Sequence, residues 1–183
     1  MKKILAALVI LACTGLAAST QAQTPAPAAD ASKNPVTDML RQVLGRAAQN
    51  QVAAADAMPA DKYSYKPTPE QITFGHLIVH IINSNNLVCS AYGGTTAPTE
   101  KPADTDSKDK LMPQLKASFD LCTQAFAKAD DSNLGESIKV FGDRQISRGG
   151  VIIILASEFA DHYGMQAMYL RLNGLVPPTA KKN

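Results

Sequence analysis

The sequence predicts an all-α protein, a four-helix bundle, and three observations support this prediction. Apolar residues recur every three or four positions in four long segments, which is the spacing of one face of an α-helix. No run of alternating strand patterns and no internal repeat interrupts these segments. About 150 residues follow the N-terminal segment, which is the size of one domain, and four long helices in one domain are expected to pack as a bundle.

The N-terminal segment has the layout of a secretory signal peptide. Lys2 and Lys3 precede an apolar run that gives way to small residues ending at Ala22, so we expect cleavage after Ala22. The apolar run is too short to predict a retained membrane span. An alternative is a lipoprotein processed at Cys13. We therefore expect an exported protein, located in the periplasm and without a membrane segment once the signal is removed.

Charge and composition limit the classes of partner. The whole chain carries a formal net charge of +2, and removal of residues 1–22 leaves sixteen basic and sixteen acidic residues. Proteins that bind nucleic acids are usually basic, so this neutral chain is not expected to bind them. Residues 23–33 are rich in Pro and Ala and predict a disordered lead-in. The bundle is predicted over residues 34–178, with a flexible tail at 179–183.

The first helix is predicted over residues 34–58, and Pro59 ends it. The second is predicted to start at Thr68, because a capping residue is followed there by Pro69 and then by Gln71, which completes a capping box. This helix is expected to continue to about Tyr92, where two glycines stop it.

The third helix follows a long linker and is marked by apolar residues from Leu111 to Phe126. Pro113 suits a first helical turn, so irregular backbone is expected before it. A linker of roughly fourteen residues can span about 45 Å, more than the length of a helix, so the second and third helices can run parallel. Cys89 and Cys122 would then lie at similar heights, either as a disulfide or as two small buried apolar residues.

The fourth helix is predicted to begin after Ser147, a capping residue, and to extend to Leu172. Gly174 supplies a left-handed end to the helix, and the two prolines at 177–178 prevent its continuation. The polar segment before this helix is expected to contain at most one short extended piece, over residues 137–141.

Four polar residues occupy positions where the helices would bury apolar side chains. His76 and His80 are one turn apart on the second helix, and Glu158 and His162 are one turn apart on the fourth. A buried ionised carboxylate is costly unless a cation compensates it. Imidazoles and a carboxylate are common ligands of zinc, nickel, iron and manganese, and three of them leave an open coordination position. An alternative is that the histidines are ordinary core residues, with His76 facing solvent.

The segments TFGHLIVHI and EFADHYGMQAMYLRLNGLVPP resemble the DinB family, and the similarity extends from Asn34 to Pro178. The resemblance implies a bundle in up-down-down-up order with a central three-histidine metal site. It implies His80 as the ligand from the second helix and His162 as the second histidine of a pair on the last helix. Glu158 stands where the first histidine of that pair is expected. Either Glu158 or His76 is then the third ligand, or the site is degenerate and holds no metal.

The resemblance also implies two types of activity: metal-dependent hydrolysis, or transfer reactions that use a low-molecular-weight thiol. Glu158 can serve as a ligand or as a general base in either reaction. No G-x-S-x-G motif is present, so a covalent serine mechanism is not favoured. The alternative is a non-catalytic module that holds a metal or small ligand, or that forms a homodimer through the alanine-rich face of its first helix.

Overall fold

A computed structural model describes residues 32–180 as four α-helices and one short hairpin. The helices are α1 (Pro35–Ala57), α2 (Phe74–Gly93), α3 (Lys108–Phe126) and α4 (Arg148–Leu172). The strands β1 (Ser137–Val140) and β2 (Arg144–Ser147) precede α4. The predicted all-α four-helix bundle is therefore confirmed. The predicted signal peptide, the lead-in up to residue 31 and residues 181–183 lie outside the described residues.

Helices α2 and α3 run parallel. The Asn85 side chain on α2 donates a hydrogen bond of 3.1 Å to the hydroxyl of Ser118 on α3. One turn further along both helices, Cys89 is joined to Cys122 by a disulfide. Both contacts advance by four residues in the same chain direction, which requires parallel helices.

The remaining contacts set the direction of α1 and α4. The ammonium of Lys108, at the start of α3, donates to the Met58 carbonyl just after α1, so these two helices are antiparallel. The guanidinium of Arg148, at the start of α4, donates to the Tyr92 carbonyl near the end of α2. Helices α2 and α4 are therefore antiparallel as well. Together these directions give the up-down-down-up order.

Helix α2 begins at Phe74, and the predicted start at Thr68 is wrong. The Phe74 and Gly75 N–H groups donate to the carbonyls of Tyr65 and Tyr63, so contacts with the preceding loop fix where the helix begins. A Cβ atom on Gly75 would lie 3.2 Å from the Tyr63 carbonyl oxygen, so the absence of a side chain favours this close approach. The Thr73 hydroxyl then caps the helix by accepting from the His76 N–H.

Pro113 lies in the second turn of α3 rather than in the first. The helix starts at Lys108, and the N–H groups of Lys110 and Leu111 both donate to the Ser107 carbonyl. The irregular backbone predicted before Pro113 is therefore helical. Proline removes one helical hydrogen bond, but Pro113 is exposed, and water can replace the missing donor.

The predicted ends of the other helices are confirmed. Gly94 and Gly174 have φ angles of 65° and 72°, the left-handed conformation that glycine adopts without strain. After α4, the Leu175 N–H donates to the Leu170 carbonyl, which completes the hydrogen bonding of a Schellman end. At the start of α4, the Ser147 hydroxyl accepts from the Gly150 N–H as predicted.

The hairpin before α4 was predicted only in part. Strand β1 matches the expected extended piece, but its partner β2 was not predicted. The strands are antiparallel, with Val140 paired to Arg144, and the loop between them holds Phe141 and Gly142 at φ angles of 54° and 80°. Strand β1 packs against α2 and buries Val140, so the loop at residues 141–143 is placed beside the bundle.

Apolar side chains from all four helices fill the core. Helix α2 contributes the largest share, because it is buried along most of its length. In residues 32–180, no helix has the length and apolar character needed to cross a membrane. The largest fully buried apolar side chains are Tyr169, Phe74, Phe126, Met58, Leu77, Ile78, Ile81, Ile82, Leu111, Leu115, Leu155 and Leu170.

Candidate metal centre

Three of the predicted ligands converge between α2 and α4. His80, Glu158 and His162 each offer one ligand atom, and these three atoms lie within 4.8 Å of one another. The Glu158 Oε2 and His162 Nε2 atoms are 3.2 Å apart. The rings of His80 and His162 are 5.0 Å apart between centroids and nearly perpendicular. The cluster therefore combines two imidazoles and one carboxylate around a common point.

The antiparallel packing of α2 and α4 produces this convergence. The rings of Phe74 and Tyr169 lie 5.8 Å apart and mark one common level of the two helices. From that level, His80 is six residues forward on α2 and His162 is seven residues back on α4, which corresponds to about 9 and 10.5 Å. His80 lies in the second turn of α2, and its level matches that of His162 because the helices are antiparallel.

Burial changes steeply across the cluster. His162 is 2% exposed, whereas the Glu158 side chain is 44% exposed and His80 lies at the surface. The cluster thus extends from the interior of the bundle to solvent. This arrangement gives a small molecule access to one side of the site.

The protonation of His162 suits metal binding. Burial lowers the pKa of the His162 imidazole below its ordinary value, and the neighbouring His80 lowers it further, although the Glu158 and Asp161 carboxylates act in the opposite direction. The neutral imidazole, which is the form that binds metals, is therefore favoured at neutral pH. Its Nδ1 atom is buried and has no hydrogen-bond partner among residues 32–180.

The spacing of the ligand atoms fits a divalent metal. Tetrahedral ligands about 2.0–2.2 Å from zinc lie about 3.3–3.6 Å from one another. The 3.2 Å between the Glu158 and His162 atoms is close to this spacing. The His80 atom lies within 4.8 Å of the other two, and a surface side chain can close the remaining distance by rotation. The three residues can thus hold a metal ion.

His76 is not brought into this cluster. Its Nδ1 atom lies 2.8 Å from the Asp104 Oδ2 atom, and both side chains are partly exposed. Asp104 belongs to the linker between α2 and α3, so the histidine one turn before His80 contacts that linker. The structure therefore brings Glu158, and not His76, together with His80 and His162.

A cavity of about 180 Å³ adjoins the cluster, and its lining includes residues that the sequence did not single out. His80 and Glu158 form one part of its wall, and Asn85 and Phe141 form other parts. Asn85 could have been noticed as a polar residue in the most apolar helix. Phe141 could not, because its position depends on the unpredicted hairpin.

Comparison with known proteins agrees with this fold. None of the curated proteins matches the chain by sequence. A DinB-like protein from Bacillus cereus superimposes with a TM-score of 0.63 at 18% identity, covering 77% of this chain and 95% of its own. A DinB-like protein from Bacillus subtilis gives 0.62 at 17% identity, covering 79% and 99%.

A mycothiol-dependent maleylpyruvate isomerase shares the fold more distantly. Its TM-score is 0.55 at 14% identity, and the match covers 70% of this chain and 59% of the isomerase. The family model of the DinB superfamily matches residues 43–165, which include all three residues of the cluster. The chain therefore belongs to the DinB superfamily.

Proposed function

We propose that this chain is an exported metal-dependent hydrolase that holds one divalent metal ion with His80, Glu158 and His162. The observation that supports the proposal is the convergence of two imidazoles and a carboxylate, within 4.8 Å of one another, at the edge of an open cavity. Zinc, nickel, iron and manganese all accept this ligand set.

The three side chains have different roles in the proposed site. When bound, a divalent metal would supply Lewis acidity and would make water a nucleophile at neutral pH. His162 is held rigidly by burial and fixes the inner side of the site, while His80 closes the outer side. Glu158 has two carboxylate oxygens and is partly exposed, so one oxygen can bind the ion while the other accepts a proton from water.

The disulfide supports export. Cys89 and Cys122 are both fully buried and are joined across α2 and α3. Disulfides persist in oxidising compartments such as the periplasm and are rare in the cytosol. The proposed location therefore agrees with the signal peptide predicted at residues 1–22.

Thiol-dependent transfer is a second candidate. It is favoured by the structural similarity to the mycothiol-dependent maleylpyruvate isomerase. That similarity is one of fold at low identity, and a reduced low-molecular-weight thiol would be scarce where a structural disulfide forms. Hydrolysis needs only water, so it is the proposal that we prefer.

The test is metal analysis of the purified chain and of alanine variants. We expect about one divalent ion per chain in the wild type, loss of the ion in His80→Ala and His162→Ala, and full retention in the control His76→Ala. Loss of metal with unchanged thermal unfolding would indicate a functional site, whereas unfolding would indicate a structural one. A wild-type chain that takes up no zinc, nickel, iron or manganese would contradict the proposal.

Activity separates the remaining alternatives. The metal-loaded chain is expected to hydrolyse simple activated esters such as p-nitrophenyl acetate, and removal of the ion by a chelator should abolish the reaction. Metal binding without hydrolysis of any ester or amide tested would favour the non-catalytic alternative. Activity that appears only when a low-molecular-weight thiol is added would favour the transferase.

A further inference from the structure

Phe141, at the tip of the hairpin, has two features that do not stabilise the folded protein. Its φ angle of 54° is in the left-handed region, which side chains with a Cβ atom rarely adopt. The residue is also 39% exposed, although its side chain is a large apolar group. Glycine or asparagine would satisfy the loop with less strain. Residues held in such strained conformations cluster at active sites and ligand-binding sites.

The position of Phe141 indicates a role in binding a ligand. Its side chain lines the cavity that also exposes His80 and Glu158. Ile154 and Leu155 of α4 also line the cavity and are apolar. One part of the cavity therefore carries the metal-binding groups, while another part is apolar.

The size of the cavity limits its ligand. Its volume of about 180 Å³ is smaller than the roughly 300–1,000 Å³ of pockets that take drug-sized molecules. A single ring or a short branched chain can fill the apolar part of the cavity. One polar group of the same molecule can then reach the cluster of His80, Glu158 and His162. Among the described residues, no lysine or arginine lines the cavity.

We propose that Phe141 determines specificity at this site, and that the ligand is a small molecule with one metal-binding group and one apolar body of about a single ring. The hairpin places the Phe141 ring so that it contacts the apolar body while the polar group binds beside Glu158. This inference rests on the proposed metal site and assigns the class of molecule that the site accepts.

The experiment compares two hydroxamates that share a metal-binding group and differ in their apolar part. Zinc is first loaded into the full chain and its stoichiometry is measured. Binding of acetohydroxamate and benzohydroxamate is then measured by calorimetry. We expect benzohydroxamate to bind at least about tenfold more tightly, since a few buried apolar atoms in a pocket produce discrimination of this size.

Two variants at residue 141 separate recognition from folding. Phe141→Ala is expected to reduce the preference for benzohydroxamate to about threefold or less, with unchanged zinc stoichiometry. Phe141→Gly should reduce it in the same way while the melting temperature stays the same or rises, because glycine adopts the left-handed conformation freely. Ile153→Ala removes an apolar side chain that is 72% exposed on α4 and outside the cavity, and serves as the matched control.

The outcomes are distinguishable. A preference that survives in both Phe141 variants, or equal affinities in the wild type, would overturn the role of Phe141. A loss of preference in Ile153→Ala equal to that in Phe141→Ala would also overturn it. Failure of the wild type to load zinc or another divalent ion would instead overturn the proposed function, and the ligand class with it.

Discussion

Cys89 on α2 and Cys122 on α3 are joined by a disulfide between positions 33 residues apart in the sequence. The bond fixes the parallel pair at one level, a turn beyond the hydrogen bond between Asn85 and Ser118. It also encloses the long linker, including Asp104, which contacts His76 near the start of α2. The linker is therefore tied to the bundle at both ends of α2.

Removal of the disulfide should lower the free energy of unfolding substantially. Closing a loop of 33 residues restricts the unfolded chain, which corresponds to about 3–4 kcal/mol. The double variant Cys89→Ala with Cys122→Ala is expected to lose about this amount in urea unfolding. A reducing agent should destabilise the wild type similarly and leave the double variant unchanged. Equal stability of the oxidised and reduced wild type would contradict the prediction.

A buried pair of glutamines should stabilise the contact between α1 and α4. The Gln51 side chain donates to the backbone carbonyl of Phe159, and the Gln166 side chain donates to the backbone carbonyl of Gln51. Gln51→Ala removes one of these bonds and leaves a gap, so we expect a loss of about 1–3 kcal/mol in chemical unfolding. Gln49→Ala, at an exposed position on the same helix, should change stability by less than about 0.5 kcal/mol. Similar losses in both variants would contradict this role for Gln51.

Asp131 should make stability depend on acid pH. Its carboxylate accepts from the N–H groups of Val36 and Thr37 and so caps α1 from a distant part of the chain. Burial raises the pKa of Asp131, but the hydrogen bonds from Val36 and Thr37 outweigh it, and the pKa lies below its ordinary value of 3.8. The folded state therefore holds the ionised form more strongly than the unfolded state does.

The sign of the effect follows from that difference. The stabilisation by Asp131 is present above pH 3.8 and is lost as the pH falls from there through the folded pKa. Asp131→Asn should be less stable than the wild type at neutral pH and should lose less stability on acidification. Unfolding curves between neutral pH and pH 3 measure this, with the exposed Asp120→Asn as control. Parallel pH profiles for the wild type and Asp131→Asn would contradict the prediction.

Glu158 should control the protonation of His162. Its carboxylate lies 3.2 Å from the His162 ring and favours the protonated imidazole. Glu158→Gln removes that charge, so the pKa of His162 in the metal-free protein should fall further below its ordinary value. NMR titration of the histidine ring protons measures the change, again with Asp120→Asn as control. An unchanged or raised pKa would show that the two side chains are not in contact in solution.

Local signals in the sequence correctly predicted four helices and most of their ends. Ser147 caps α4, and Gly94 and Gly174 end α2 and α4, because these residues satisfy backbone groups within one turn of themselves. The candidate ligands on α4 were also found locally, since Glu158 and His162 are one helical turn apart. Such features need only the neighbouring residues.

Features that depend on distant residues were missed or left open. Thr68, Pro69 and Gln71 have the residue types of a helix start. The helix begins at Phe74 instead, because the carbonyls of Tyr65 and Tyr63 accept from the first N–H groups of α2, those of Phe74 and Gly75. The sequence left open whether Cys89 and Cys122 form a disulfide, because only parallel packing of α2 and α3 brings them together. The sequence left open whether His76 or Glu158 joins His80 and His162, because that depends on how α2 and α4 pack against each other.

The sequence alone thus determined the helices, their capping residues and the polar groups that they carry, because hydrogen bonding and apolar periodicity act over a few residues. The tertiary structure decided which of those polar groups meet. It placed His80 opposite His162 and set Phe141 in the wall of the cavity that His80 lines, because these positions depend on the direction and level at which whole helices and the hairpin pack.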